Sequence, residues 1–346
     1  MRPSHTPNTW PLGRYDQGFE EYSKLPSGLY AKLRAKAWQH VAIVCPSHFL
    51  GLAWVDLGYF KTAWCYVFDR ETKQAFEYKE GSPLLDLEVN LQLGDGHCVA
   101  MAPGLWMRVH NHLEARQHRL QLAIGERARI RSRGTDASRR PTVTADLRCR
   151  SDEVQALVAV LPAGRRGGMC SYKVALPSSG RLELSAPTTE PGGSSPRELV
   201  LDAEHCTALF DIHRAVYPYQ TRWNWATAAG RSPSGQRLAF NLTTNSSNPA
   251  EAEYNENAFW LDGKRFDLDA ARFERQAKGW RMNTLDGKLE LSFVAEGARR
   301  QNQDLLLLRS RFEQSHGHFT GTFRGPDGPV AVEGLYGMLE DHASRW

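Results

Sequence analysis

The sequence lacks any uninterrupted apolar run of about 18 residues, the length a membrane-spanning helix needs. Its best stretch, VAIVCPSHFLGLAWVDLGYF, is broken by Pro46, His48 and Asp56, so no integral membrane span is expected. The opening MRPSHTPNTWPLG has no apolar segment of the secretory kind, and a cytoplasmic location is expected. There is no C-x-x-C. The six cysteines (Cys45, Cys65, Cys98, Cys149, Cys170, Cys206) are scattered and read as reduced core residues, not a disulfide framework. G-x-S-x-G, G-x-x-x-x-G-K-[ST] and a helix-opening G-x-G-x-x-G are all missing. Those absences argue against α/β hydrolases, nucleotide hydrolases and Rossmann dehydrogenases, and no organic cofactor is expected. Charge of one sign is also missing: 43 basic residues face 39 acidic ones, a net of +4. Nucleic acid is therefore not expected as a partner. Basic residues bunch in RARIRSRGTDASRR (127–140) and GRRGG (164–168), without interleaved aromatics, and read as solvated loops or hairpin tips.

Aromatics, by contrast, are abundant: 10 tryptophans, 11 tyrosines and 14 phenylalanines in 346 residues. That favours aromatic-lined β structure or a ligand cavity over a helical bundle. From Trp38 onward the pattern is strand, turn, strand. In LDLEVNLQL every second residue is apolar, the signature of half-buried antiparallel sheet. AWCYVF and QAFEY flank a polar loop of hairpin length, and the turns LDGK (261–264 and 285–288) place glycine at hairpin positions. SAPTTEPGGSSPREL (185–199) is the most linker-like stretch. The spacing predicts a mainly β chain of two curled antiparallel barrels. Residues 1–35 form an arm, 36–200 the first barrel-like domain and 201–346 the second. LDAEHCTALFDIHRAV predicts one short helix near 203–215, and GLYAKLRAKAW a possible second.

WQHVAIV, LGLAWVDLGYFKTAWCYVFDRET, SYKVALPSSGRLEL, YPYQTRWNWATAAG, ENAFWLDGK and GLYGMLEDHASRW resemble the bacterial family known as domain of unknown function 2804. The resemblance covers nearly the whole chain from Trp38, and W-N-W and E-D-H-x-x-x-W are its most specific parts. One turn departs from the pattern: Asp211, Ala215 and Pro218 stand where D-x-x-x-G-x-x-P is expected, so a glycine is replaced. More distantly the layout is similar to the calycin-like carotenoid hydratase and AttH-like group. That resemblance implies lipocalin-like barrels. Members of the wider group bind lipids, or hydrate or cyclise polyenes, while the family itself brings no assigned activity.

Alternation along a strand puts Arg222 and Asn224 of TRWNWAT on one face and Trp223 and Trp225 on the other. Tryptophans facing a lumen would make a flat apolar wall; Arg222 and Asn224 facing it would anchor a carboxylate. The plainer reading has the tryptophans filling a core. Asn255, Glu256 and Asn257 open another strand and, with Asn241, either converge on one end of a barrel or cap a solvated turn. Lys173 lies between apolar residues beside Tyr172, either exposed or buried and paired. In LEDHASRW, Glu340 and His342 share a face and Asp341 takes the other. They are candidate acid/base residues, or an end-lock with Trp346 as plug. His110, His112 and Glu114 share a strand face, with His118 beyond and His316 and His318 elsewhere. H-x-H spacing is a common accident, and no metal site is expected.

These readings give two functional expectations. The first is binding of a hydrophobic small molecule (lipid, fatty acyl chain or polyene) in an aromatic-lined barrel cavity. The second is a cofactor-independent hydratase, isomerase or cyclase using Glu340, Asp341 and His342.

Overall fold

The computed structural model describes residues 11–17, 29–90, 95–125, 127–128, 141–185, 197–305 and 308–345. The first strands are β1 (Gly13–Tyr15), β2 (Ala35–Val44), β3 (His48–Asp56), β4 (Lys61–Asp69) and β5 (Ala75–Ser82). Next come β6 (Asp86–Asn90), β7 (Gly96–Ala102), β8 (Leu105–His112), β9 (Gln117–Ile124) and β10 (Thr142–Arg150). β11 (Leu157–Ala163), β12 (Gly167–Ser185), β13 (Arg197–Leu201) and β14 (Thr207–Val216) complete the first sheet. Its main path runs β5-β4-β3-β2-β14-β12-β10-β9-β8-β7-β6. The 19-residue β12 is the hinge of this sheet. Its first half pairs with β11 and β14, its second with β10 and β13. The sheet thereby folds back on itself, so that β6 touches β2, β3 and β4.

The second sheet holds β15 (Gln220–Arg231), β16 (Arg237–Asn245), β17 (Ala258–Leu261), β18 (Lys264–Asp267) and β19 (Ala271–Gln276). It also holds β20 (Gly279–Thr284), β21 (Leu289–Leu305), β22 (Leu308–Gly325) and β23 (Gly328–Arg345). The order is β18-β17-β16-β15-β23-β22-β21-β20-β19, and β16 curls round to touch β19. The protein is thus mainly β, two curled antiparallel sheets packed together. α1 (Leu29–Arg34) is the only helix among the described residues, in the stretch where GLYAKLRAKAW allows one.

The helix expected near 203–215 is a strand. Residues Thr207–Val216 form β14, paired with β2 and β12 in the first sheet, and the chain passes to the second sheet between Val216 and Gln220. The physical reason is burial on both faces. β14 carries no apolar–polar alternation, and Leu209, Ile212 and Val216 fall at spacings a helix would also use.

Each sheet has its own apolar filling. The first folds over a cluster including Trp54, Met107 and Leu122; the second curls around phenylalanines, with Phe240, Phe259, Phe293, Phe319 and Phe323 almost wholly buried. All six cysteines are buried and unpaired. Arg165 and Arg166 are exposed at the β11–β12 turn, whereas most of the 127–140 and 185–199 segments, like Trp346, lie outside the described residues. No helix among the described residues is long and apolar enough to cross a membrane.

Candidate functional site

The side-chain period of two lets register alone predict which residues share a wall. On the first sheet one rung runs Trp64 (β4), Ala53 (β3), His40 (β2), Asp211 (β14), Lys173 (β12). The next rung on the same face runs Thr62, Val55, Trp38, His213, Ser171. On the second sheet the matching rungs are Thr243, Trp225, Glu340, Gln314, Arg299, and Asn245, Trp223, His342, Phe312, Gln301. These two faces look at each other across a cavity of about 460 Å³. The cavity lies between the sheets and not in the lumen expected for the second curl, because the phenylalanine cluster fills that lumen.

One wall is a stack of flat rings. Trp38 lies 4.2 Å from the His213 ring at an interplanar angle of 4°, and Tyr217 and Trp223 continue the stack at 6.0 Å from Trp38. Beside the stack, on the adjacent rung of the first sheet, lies an ionic cluster. Lys173 donates to Asp211 Oδ1 at 2.5 Å, lies 3.4 Å from Glu256 Oε1 and sits over the Trp225 ring. Glu256 also accepts from Ser171 Oγ and, at 2.9 Å, from Thr243 Oγ1; Asp211 accepts from the Trp38 indole at 3.3 Å. Burial opposes the Lys173 charge, but the two carboxylates outweigh it and hold its pKa above the ordinary lysine value. Asp211, favoured by Lys173 against the same burial, stays below the usual carboxylate range. A lysine so held is a fixed charge, not an amine nucleophile.

Glu340 accepts from the Trp223 indole at 2.8 Å and from Gln314 at 3.0 Å, with His342 Nδ1 3.5 Å away. His342 Nε2 lies 2.6 Å from Ser344 Oγ and 3.2 Å from Ser310 Oγ. Burial pushes the His40 and His213 imidazoles down to about 4, against the pull of nearby carboxylates (Asp211 and Glu340 for His40, Glu256 and Asp211 for His213). Both rings are therefore neutral at physiological pH.

The sequence-predicted residues divide. Lys173, Trp223, Trp225, Glu256, Glu340 and His342 line this one cavity. Asp341, Arg222 and Asn224 fall on the far side of β15 and β23, where Asp341 lies 3.7 Å from Arg222 and 3.4 Å from Arg311. The proposed trio of Glu340, Asp341 and His342 is thus not one constellation, and Arg222, exposed on the far face, does not anchor a carboxylate in the cavity. Asn255 and Asn257 hold the loop instead: Asn255 accepts from Arg14 at 3.2 Å, and Asn257 accepts from the Thr243 amide at 2.7 Å. Asn241 braces Trp225, accepting from its indole at 2.7 Å and donating to the Glu256 carbonyl. His110 and His112 point to solvent, with His110 paired to Asp95, while His118 is buried on the other face beside Asn111. Among the described residues only the exposed Asp202, Glu204 and His205 bring three possible metal ligands together. His316 and His318 are also apart in role, the first buried between Tyr66 and Tyr336, the second paired with Glu296.

Sequence reasoning missed Trp38, His40, Asp211, His213 and Arg299. A signal existed: W-x-H and D-x-H are i, i+2 pairs that share a strand face once both segments are read as strands.

No curated protein matches the chain by sequence. Among solved structures the fold is similar to CghA, at 12% identity and TM-score 0.58 over 95% of this chain and 96% of that one. It is similar also to CghA with Sch210972, at 11% identity and TM-score 0.55 over 96% and 97% of the two chains. An AttH-type protein from Nitrosomonas europaea overlaps over 91% of this chain and 94% of its own at 10% identity and TM-score 0.40. A family profile matches residues 11–346, and the chain belongs to the family described as domain of unknown function DUF2804.

Proposed function

We propose that the protein binds a hydrophobic small molecule between its two sheets. The observation that carries this reading is the cavity itself: about 460 Å³, with a stack of aromatic rings beside a buried polar cluster. Its volume lies in the range of small-molecule sites, and flat rings beside a few fixed polar groups are the usual lining of such sites. Each Å² of apolar ligand surface removed from water contributes about 25 cal/mol, so an extended polyene or fused-ring compound gains most from this wall. CghA, whose fold is similar, has a structure with Sch210972, which supports a small-molecule role for this architecture.

The catalytic alternative narrows to Glu340 and His342, which face the cavity 3.5 Å apart, whereas Asp341 faces away. A carboxylate beside an imidazole is the minimum equipment for moving a proton, in a hydratase, isomerase or cyclase step.

One experiment addresses both readings. Native mass spectrometry of the purified protein is expected to show a co-purified small molecule. Titration with neutral Nile red is expected to saturate and to quench the emission of the cavity tryptophans. An empty protein that neither binds Nile red nor changes its tryptophan emission contradicts the binding reading. If an extracted compound is converted on incubation, Glu340→Gln is expected to stop conversion while binding persists; unchanged conversion in that variant removes Glu340 from catalysis.

A further inference from the structure

The buried cations of the cavity wall are already paired with carboxylates. Lys173 is held between Asp211 and Glu256. Arg299 donates to Glu77 at 2.7 Å and stacks over the Trp64 ring at 4.4 Å. Glu340 accepts from Trp223 and Gln314, and Glu256 from Ser171 and Thr243. Among the described residues, a ligand carboxylate entering this wall would find no buried cation that is not already engaged, and would either break a pair or stay desolvated. Arg309 and Arg345 do line the cavity, but as solvent-exposed residues.

One polar side chain stands apart from these pairs. His40 is only 4% exposed, and neither its Nδ1 nor its Nε2 has a hydrogen-bond partner. It lines the cavity with its ring 5.3 Å from Trp225 and 5.4 Å from Trp64, on the rung between Ala53 and Asp211. Buried polar atoms are nearly always paired, and a partner from outside the chain reaches a nitrogen of this ring only as the Trp64 or Trp225 ring beside it gives way. A neutral imidazole offers one N–H donor and one lone pair. A carbonyl oxygen can accept from the first; a hydroxyl can meet either.

Resting on the cavity being a ligand site, we propose that His40 recognises the polar end of the ligand, and that this ligand is an uncharged, mostly apolar molecule bearing a hydroxyl or carbonyl oxygen. A free fatty acid is the wrong class for this wall. Burial keeps the ring neutral down to about pH 4, so the recognition is between uncharged partners throughout the physiological range.

The test uses matched pairs that share a hydrocarbon and differ only in the head: retinol with retinoic acid, and 1-dodecanol with dodecanoic acid. Each is titrated into the full-length protein by calorimetry at pH 7.5. The alcohol is expected to bind at least tenfold more tightly than its acid. His40→Phe, which keeps a ring in the same space and is checked for folding by circular dichroism, is expected to weaken the alcohol at least tenfold and leave the acid unchanged. An acid that binds as tightly as its alcohol overturns the ligand class, and an alcohol indifferent to His40→Phe overturns the role of His40. Both results leave the cavity standing as a ligand site. Binding of neither member of either pair by a protein that still takes up Nile red overturns this inference alone, and loss of Nile red binding as well overturns it together with the proposed function.

Discussion

Lys173 meets two carboxylates in a space from which water is nearly excluded, and its charge is what makes that arrangement tolerable. Lys173, Asp211 and Glu256 are 4%, 5% and 4% exposed. Removing one partner of a buried pair leaves uncompensated charge, at a cost of about 3–5 kcal/mol, whereas removing charge on both sides costs less. Lys173→Met is therefore expected to lower the unfolding free energy obtained from urea titration by that amount, and the double change Lys173→Met/Asp211→Asn to recover part of it. A Lys173→Met protein as stable as the parent contradicts the paired arrangement. At this scale the sequence said which residues share a strand face and not which face looks inward. Trp223 and Trp225 were separable from Arg222 and Asn224 by alternation alone, but only the packing of β15 against the first sheet put the tryptophans in the cavity. Glu256, which belongs to no strand, had no periodicity to place it.

The long strands β21, β22 and β23 have to bend to close the second curl, and they do so at identifiable places. Pairing slips between Ala295 and Gly297 and again between Phe319 and Gly321. Such bulges sharpen local twist and let a strand turn a corner. At the same crossing Gly317 faces Gly337, and a Cβ on Gly337 would lie 2.0 Å from the Thr227 carbonyl oxygen and 2.5 Å from Ala228. Backbone cannot retreat there without opening the β15–β23 ladder. Gly337→Ala is expected to destabilise the protein by about 1–3 kcal/mol, read from the melting transition, and to weaken Nile red binding by displacing the Glu340–His342 segment three to five residues on. An unchanged melting temperature would show that the ladder has slack. The hairpins were legible from alternating apolar residues with glycine turns. β14 was not, because a strand covered on both faces loses the alternation that distinguishes strand from helix.

Across the whole molecule, burial holds several histidines uncharged. His40, His213 and His316 are pushed down to about 4 and His118 to about 3, each chiefly by desolvation, from an ordinary value of 6.5. In the unfolded chain each takes up a proton near 6.5; in the folded protein it does not until near 4. The unfolded state therefore binds more protons in this window, and stability is full above about pH 6.5 and lost as pH falls toward 4. Each ring contributes a slope of up to about 1.4 kcal/mol per pH unit. Denaturant midpoints at pH 7, 6 and 5 are expected to fall steeply, and a flat profile would contradict neutral burial of these rings. Two of the four, His40 and His213, sit in the cavity wall, so acid is expected to weaken the fold and the site together.

The sequence by itself determined the period-two strands, the hairpins between them, the lack of any apolar run long enough for a membrane-spanning helix and the pairing of residues onto strand faces. All are local consequences of side-chain alternation and turn chemistry. Tertiary structure alone decided that the second curl is filled with phenylalanine and that the open space lies between the sheets. It also decided that His40, Asp211 and Lys173 line up on one rung facing Glu340. Those outcomes depend on which faces of distant strands press together, and the pairing of residues 38–40 with 211–213 is a long-range register that no local pattern encodes.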